Sequence, residues 1–359
     1  MLAKLLIIIS IIIGLVSIYI SSIYSLQELD MPSYMVANLS KLLIRGLYPS
    51  NESPKELSEW RKMLETSAKS IDKTHTIKSI YDVDLNGGLS LRIYIPRDNI
   101  DDNNDDDQNK KKKRVVMKPI LLYFHGGGFV LGSTKGDDGK AITICNQTDN
   151  VIVSVEYRLA PENKFPAAIE DGVSALNWLI HGDGINKFGG DKSKIILIGE
   201  SAGGAIAASV SAVHHSQTLR SESPVNGLIL IYPTLDHGIY RDSHFKYNKV
   251  NGLLSLEQMI WFWTLYLDEE HRDCHDYRAC PLRISDSLLS KFPETLIILA
   301  KYDILLDEGL QFNKRLENNG VPSTAIVYND TIHGFLGIPT LTSQKAYSAI
   351  KSKVLELNH

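Results

Sequence analysis

Lys194-Ile195-Ile196-Leu197-Ile198-Gly199-Glu200-Ser201-Ala202-Gly203-Gly204-Ala205-Ile206-Ala207-Ala208 decides how the rest of the chain is read. Ile195 to Ile198 is an apolar run rich in β-branched residues, as in a buried strand. Gly199 to Gly203 then matches G-x-S-x-G, and small residues suited to a closely packed helix follow. A strand running directly into a helix forces a sharp turn with Ser201 at its apex and its hydroxyl exposed. The N–H of Ala202, at the helix start, can face a developing oxyanion. A bystander serine in a Gly-rich turn would look the same in isolation, so the reading needs partners elsewhere in the chain.

Strand signals recur on both sides of this stretch: Val115–Phe124, Val151–Glu156, Leu228–Tyr232, Leu296–Ala300 and Thr324–Tyr328. Helical stretches separate them, including Ala202–His215, Ile304–Asn318 and Ser343–Leu357. Alternation of this kind predicts an α/β fold, a mostly parallel central sheet with helices on both faces. Ahead of it, Ile77–Leu85 and Leu89–Ile95 flank Asn86-Gly87, a hairpin signal of the type I′ kind. Leu256–Leu267 (LEQMIWFWTLYL) interrupts the alternation. It is apolar nearly all round, which predicts burial on both sides. It is expected to roof an apolar acyl pocket or to fill core.

At 359 residues, 43% hydrophobic and 22% charged, the chain has the composition of one large globular domain with added segments. A net charge of −4 gives no reason to expect nucleic acid as a partner. Three cysteines, Cys145, Cys274 and Cys280, are too few for a disulfide scaffold and fit no zinc spacing. Cys274 and Cys280 are near enough in sequence to pair in an oxidising compartment; free thiols are the alternative.

Leu5–Tyr24 carries no charge and is long enough to span a bilayer. Lys4 precedes it and Glu28 and Asp30 follow, which directs the remainder to the lumenal or outer side. Residues 1–25 are read as a signal anchor contacting the membrane, in preference to a cleaved signal peptide. Sequons at Asn38, Asn51, Asn146 and Asn329 agree with a secretory route, and Asn329, just before His333, is expected to stay unglycosylated. Residues 26–75, with a capping box at Ser53-Pro54-Lys55-Glu56, are expected to form N-terminal cap helices. The catalytic unit is then 76–359. Within it, the acidic and basic run 99–114 is expected to be a disordered surface loop, and 236–292 a cap insertion.

Partners for Ser201 fall where the pattern requires them. A triad in this strand–turn–helix context runs Ser, then an acid, then His. Asp303 follows the strand Leu296–Ala300, whereas Asp307 and Glu308 fall one turn into the next helix. His333 follows the last strand; His214, His215, His237 and His271 lie on helices or in the insertion and are expected to be solvated. His125-Gly126-Gly127-Gly128-Phe129 follows another strand and frees backbone N–H groups to face a ligand. Gly127, Gly128 and Ala202 are the expected oxyanion donors.

Taken together, His125 to Phe129, Glu156-Tyr157-Arg158-Leu159-Ala160-Pro161-Glu162, Phe188-Gly189-Gly190-Asp191, Gly199 to Gly204, Asp303 to Glu308 and His333-Gly334-Phe335 resemble the hormone-sensitive lipase family of α/β-hydrolases. With the N-terminal segment, the plan is similar to its arylacetamide deacetylase branch. The resemblance implies an α/β-hydrolase fold with a helical cap and a serine carboxylesterase acting on small acyl esters or lipids. It implies no cofactor or metal, and an endoplasmic reticulum membrane location with a lumenal domain; a secreted protein is the alternative. Glu200 departs from the Asp that the family usually carries. Tyr157, Arg158 and Glu162 are expected to be structural, with an Arg158–Glu162 pair behind the Gly loop. The competing readings are an amidase using the same residues and a catalytically silent ligand-binding or adhesion protein on this scaffold.

Overall fold

The computed structural model describes residues 57–62, 76–85, 87–97, 117–182, 184–248 and 253–358. The expected signal anchor, most of the N-terminal cap, the loop 99–114 and the sequons at Asn38 and Asn51 lie outside the described residues. Among those described, no helix is long and apolar enough to cross a membrane.

Eight strands form one sheet: β1 (Ser79–Asp84), β2 (Ser90–Ile95), β3 (Lys118–Phe124), β4 (Val151–Glu156), β5 (Gly190–Glu200), β6 (Val225–Ile231), β7 (Glu294–Tyr302) and β8 (Ser323–Ile332). Their spatial order is β1-β2-β4-β3-β5-β6-β7-β8. β1 and β2 form an antiparallel hairpin, β2 meets β4 antiparallel, and the other pairings are parallel. The helices are α1 (Asp138–Thr148), α2 (Ala167–His181), α3 (Ala202–Gln217), α4 (Asp242–Tyr247), α5 (Leu256–Tyr266), α6 (Asp286–Leu289), α7 (Leu306–Asn318) and α8 (Leu341–Asn358).

Successive side chains of a strand point to opposite faces, and here both faces are dry. Ile120, Leu122 and Phe124 of β3, with Ile195 and Leu197 of β5, join one buried cluster; Leu121, Tyr123, Ile196 and Ile198 join another. This is why the strands read as continuous apolar runs. Two strands are longer than those runs. β5 begins at Gly190, through the polar Asp191-Lys192-Ser193, and β8 continues through Asn329-Asp330-Thr331. Both extensions are held by pairing to a neighbour across a register irregularity.

α5 departs from the expectation of burial all round. Met259, Trp263, Leu265 and Tyr266 are buried, but Ile260 is 43% exposed and Trp261 and Phe262 are half-buried. Its opposite flank, Glu257, Ile260 and Thr264, faces solvent. Cys274 and Cys280 form a disulfide in the same insertion, and Cys145 is a buried free thiol.

His215 also differs from expectation. It sits on α3 with no exposure; Nδ1 meets the Ser211 carbonyl at 2.8 Å, and Nε2 has no partner among the described residues. Burial pulls its pKa down to about 4, whereas an unfolded histidine titrates near 6.5. Between those values the unfolded chain binds a proton that the folded one refuses. Stability is therefore intact above about pH 6.5 and falls as pH drops toward 4, by roughly 2–3 kcal/mol from this group. Urea unfolding at pH 7 and pH 4.5 should show wild-type losing about that much more stability than His215→Gln. Equal losses in the two proteins would contradict the assignment.

Candidate active site

Four strands each deliver a key position as the residue immediately after their last one: His125 after β3, Ser201 after β5, Asp303 after β7 and His333 after β8. Register makes these ends level. Phe124 pairs with Gly199, Glu200 with Ile231, and Tyr302 with Ile332. The carboxyl ends of parallel strands thus form one edge, where ligand sites arise in open α/β sheets.

Ser201 has φ 53° and ψ −119°, a conformation uncommon for a side-chain-bearing residue. Its backbone is held on both sides: its N–H donates to the Ile231 carbonyl at 2.9 Å, and its carbonyl accepts from Gly204 at 3.0 Å and Thr234 at 3.2 Å. The turn is tight enough that a Cβ on Gly203 would collide with the Phe124 carbonyl, which explains the glycine there.

Ser201 Oγ lies 2.9 Å from His333 Nε2, and His333 Nδ1 lies 2.7 Å from Asp303 Oδ2. In the tautomer with its proton on Nδ1, His333 donates to Asp303 and accepts from Ser201. The other Asp303 oxygen accepts from the Leu305 N–H at 2.9 Å. Asp303 and His333 are buried, and the Tyr232 ring packs 4.8 Å from the imidazole.

The Gly loop faces the same cavity, whose volume is ≈ 350 Å³. Gly127, Gly128 and Phe129 have φ of 124°, 63° and 64°. This left-handed path folds the loop back, so that Val130 and Leu131 donate to the Gly127 carbonyl. A Cβ on Gly128 would strike the ring of Phe262 on α5. Gly127 and Gly128 line the cavity, and their N–H groups have no acceptor among the described residues. Ala202, the first residue of α3, is beyond intrahelical acceptors as well. Behind the loop, the Tyr157 hydroxyl donates to the His125 carbonyl at 2.8 Å and its ring stacks on His125 at 4.2 Å.

Arg158 and Glu162 do not pair with each other. Arg158 takes Asp171 of α2, at 2.9 Å, while Glu162 receives two hydrogen bonds from Arg61, both 2.9 Å. The segment between them is not helical, so positions four apart do not share a face. Arg61 also donates to the carbonyls of Val130 and Ala160, each at 2.7 Å, and so ties the helical residues 57–62 to the Gly loop. Trp60 beside it lines the cavity and packs edge-on against Trp261 at 6.1 Å. Sequence reading places Trp60 and Arg61 in the N-terminal cap helices and assigns neither a role.

Met259, Phe262 and Trp263 of α5 form one apolar wall. Trp263 is core as well, packed on Phe129 and Tyr266. Opposite in character is a charged group that sequence reading did not assemble: Asp137 and Lys140 of the α1 region with Glu200. Burial works to raise the Glu200 carboxyl, but Lys140 and hydrogen bonds hold it down to about 2; burial and the neighbouring Glu200 push Asp137 up to about 7. Asp307 and Glu308 fall outside the cavity. Asp307 accepts from the Ser243 N–H, and buried Glu308 from the Leu235 and Asp236 N–H groups.

Comparison with known proteins agrees with this architecture. Residues 121–337 match the family described as the α/β hydrolase fold. An arylesterase of Saccharolobus solfataricus is 31% identical over 222 residues, 61% of this chain and 69% of that protein. Human arylacetamide deacetylase-like 2 is 31% identical over 269 residues, 60% of this chain and 67% of that protein. A solved esterase of Pyrobaculum calidifontis superposes with a TM-score of 0.74 at 32% identity, over 89% of this chain and 98% of that one. With this match, the elbow at Ser201 and the strand order, the chain belongs to the α/β-hydrolase fold family, among relatives that include the arylacetamide deacetylases.

Proposed function

We propose that this chain is a serine carboxylesterase or deacetylase that hydrolyses esters of short to medium or lipid-like acyl groups through an acyl-enzyme. The hydrogen-bond chain from Ser201 through His333 to Asp303 carries this reading. His333 takes the Ser201 proton as the hydroxyl oxygen attacks the ester carbonyl. Asp303 holds the imidazole in the required tautomer and stabilises the imidazolium. The N–H groups of Gly127, Gly128 and Ala202 receive the oxyanion. His333 then protonates the departing alcohol, and water repeats the sequence to release the acid. The apolar wall of Met259, Phe262 and Trp263 suits a hydrocarbon acyl group better than a peptide. The arylesterase and deacetylase names of the relatives support the same substrate class.

Ser201→Ala should remain folded, lose labelling by a fluorophosphonate and hydrolyse p-nitrophenyl butyrate at background rate. Asp303→Asn should still label, but with kcat lower by about 10⁴-fold, because the imidazole tautomer is no longer held. Full activity in Ser201→Ala would exclude the serine as nucleophile.

We also infer that the N-terminal segment 5–24 anchors the protein, with the catalytic domain in the lumen of the endoplasmic reticulum. Three observations support this: an uncharged span of sufficient length, a Cys274–Cys280 disulfide suited to an oxidising compartment, and an exposed sequon asparagine at Asn146. The protein should stay with membranes through alkaline carbonate extraction and shift in mobility on endoglycosidase treatment. Release at alkaline pH with no shift would count against both parts.

A further inference from the structure

The charged wall of the cavity has no part in the proton transfers above, yet it shares the cavity with Ser201 and His333. Lys140 Nζ is gripped by Asp137 Oδ1 at 2.9 Å and by Glu200 Oε1. The second oxygen of each carboxylate accepts from a buried phenol: Asp137 Oδ2 from Tyr123 and Glu200 Oε2 from Tyr232, both at 2.7 Å. Every carboxylate oxygen of the cluster therefore has a donor. An ammonium has three N–H groups, and the carboxylates take two of them. Lys140 keeps 22% of its side chain exposed and lines the cavity.

The third N–H has no acceptor among the described residues, and a charged donor in that position would discriminate between substrates. A hydrocarbon arm laid against Lys140 strips its water and offers nothing in return, which leaves a charged donor unpaired. An arm with an oxygen at that level replaces the water's hydrogen bond. Charge sets the kind of oxygen. The Glu200 carboxylate already balances the ammonium, so a further anion gains no net attraction and meets the Glu200 charge, whereas an ether or ester oxygen does not.

We propose that Lys140, fixed by Asp137 and Glu200, is a specificity-determining residue that selects esters carrying a second, uncharged oxygen acceptor: diesters and alkoxy- or acyloxy-substituted esters in preference to plain alkyl esters. The proposal rests on Ser201 acting as an esterase nucleophile and names the class of substrate that the site takes.

The test uses the purified full chain and two ester series of constant length. In one, p-nitrophenyl hexanoate is compared with analogues in which successive CH₂ groups of the acyl chain become ether oxygens. In the other, acetates of hexanol and of its ether analogues are followed by titration of the released acid, which covers the alcohol arm. One position in one series should raise kcat/KM about tenfold over the all-carbon ester, the size of one hydrogen bond from a charged donor. A carboxylate at that position should lower it. Lys140→Met should abolish the tenfold preference, read as the ratio of kcat/KM for the ether ester to kcat/KM for the all-carbon ester within the same variant. A flat or uniformly lowered profile across both wild-type series overturns the proposal without recourse to any variant. So does a preference that survives in Lys140→Met. Failure to hydrolyse any ester of either series would instead overturn the esterase reading on which it rests.

Discussion

Asp303 and His333 are 30 positions apart in sequence and 2.7 Å apart in space, and the pairing of β7 with β8 is what brings them together. Parallel strands end on the same edge, but at the same height only when their register is level. Here Tyr302 stands opposite Ile332, so the next residue of each strand emerges at the same height. The register is reached through an irregularity between Ala300 and Tyr302. A slip of one residue would turn every side chain of β8 to the other face. It would carry His333 away from Asp303 and Ser201 together. The site is in this sense a property of strand register, and the buried apolar faces of β7, including Leu296, Ile298 and Ala300 on one side and Ile297 and Leu299 on the other, are what secure it.

The cap stands in a different relation to the site, because among the described residues it meets the Gly loop through side chains of residues 57–62 and of α5. Arg61 reaches from residues 57–62 to two carbonyls and one carboxylate around the Gly loop. Phe262 occupies the space that a side chain at Gly128 would need. Cap and loop are thus built to each other's shape: a bulkier residue in the loop would push α5 away, and a smaller residue than Phe262 would open the cavity beside the loop's free N–H groups. Much of the cavity's apolar surface comes from elements outside the sheet, so substrate fit can change without disturbing the register that sets the chemistry.

Much of this was legible in sequence because it depends on local rules. A strand leading into Gly-Glu-Ser-Ala-Gly and small residues leaves few backbone solutions, and three glycines after a strand are equally restrictive. The order of Ser201, Asp303 and His333 followed once the strands were located. What was not legible depends on contacts between distant segments. Arg158 and Glu162 were expected to pair because they are near in sequence, but Asp171 and Arg61 are nearer in space. His215 was expected in solvent because it lies on a helix away from the strand ends, yet α3 is buried nearly all round. The polar starts and ends of β5 and β8 carry no apolar pattern, since their neighbours in the sheet hold them.

The charged floor of the cavity was the least visible part, and its physics explains why it is a cluster and not a pair. An ionised group taken out of water is costly unless partners replace its hydration. Glu200 is fixed beside Ser201 by the elbow, so its carboxylate is buried whatever else the chain does. One ammonium nearby offsets the charge but brings its own desolvation. Asp137 and the two phenols of Tyr123 and Tyr232 complete the hydrogen bonding. The Tyr232 ring then packs against His333. A charge at the residue before the nucleophile is in this way tied, through one phenol, to the position of the imidazole. Glu200 is therefore not a surface residue: its side chain places the carboxylate where Lys140 and Tyr232 both reach it.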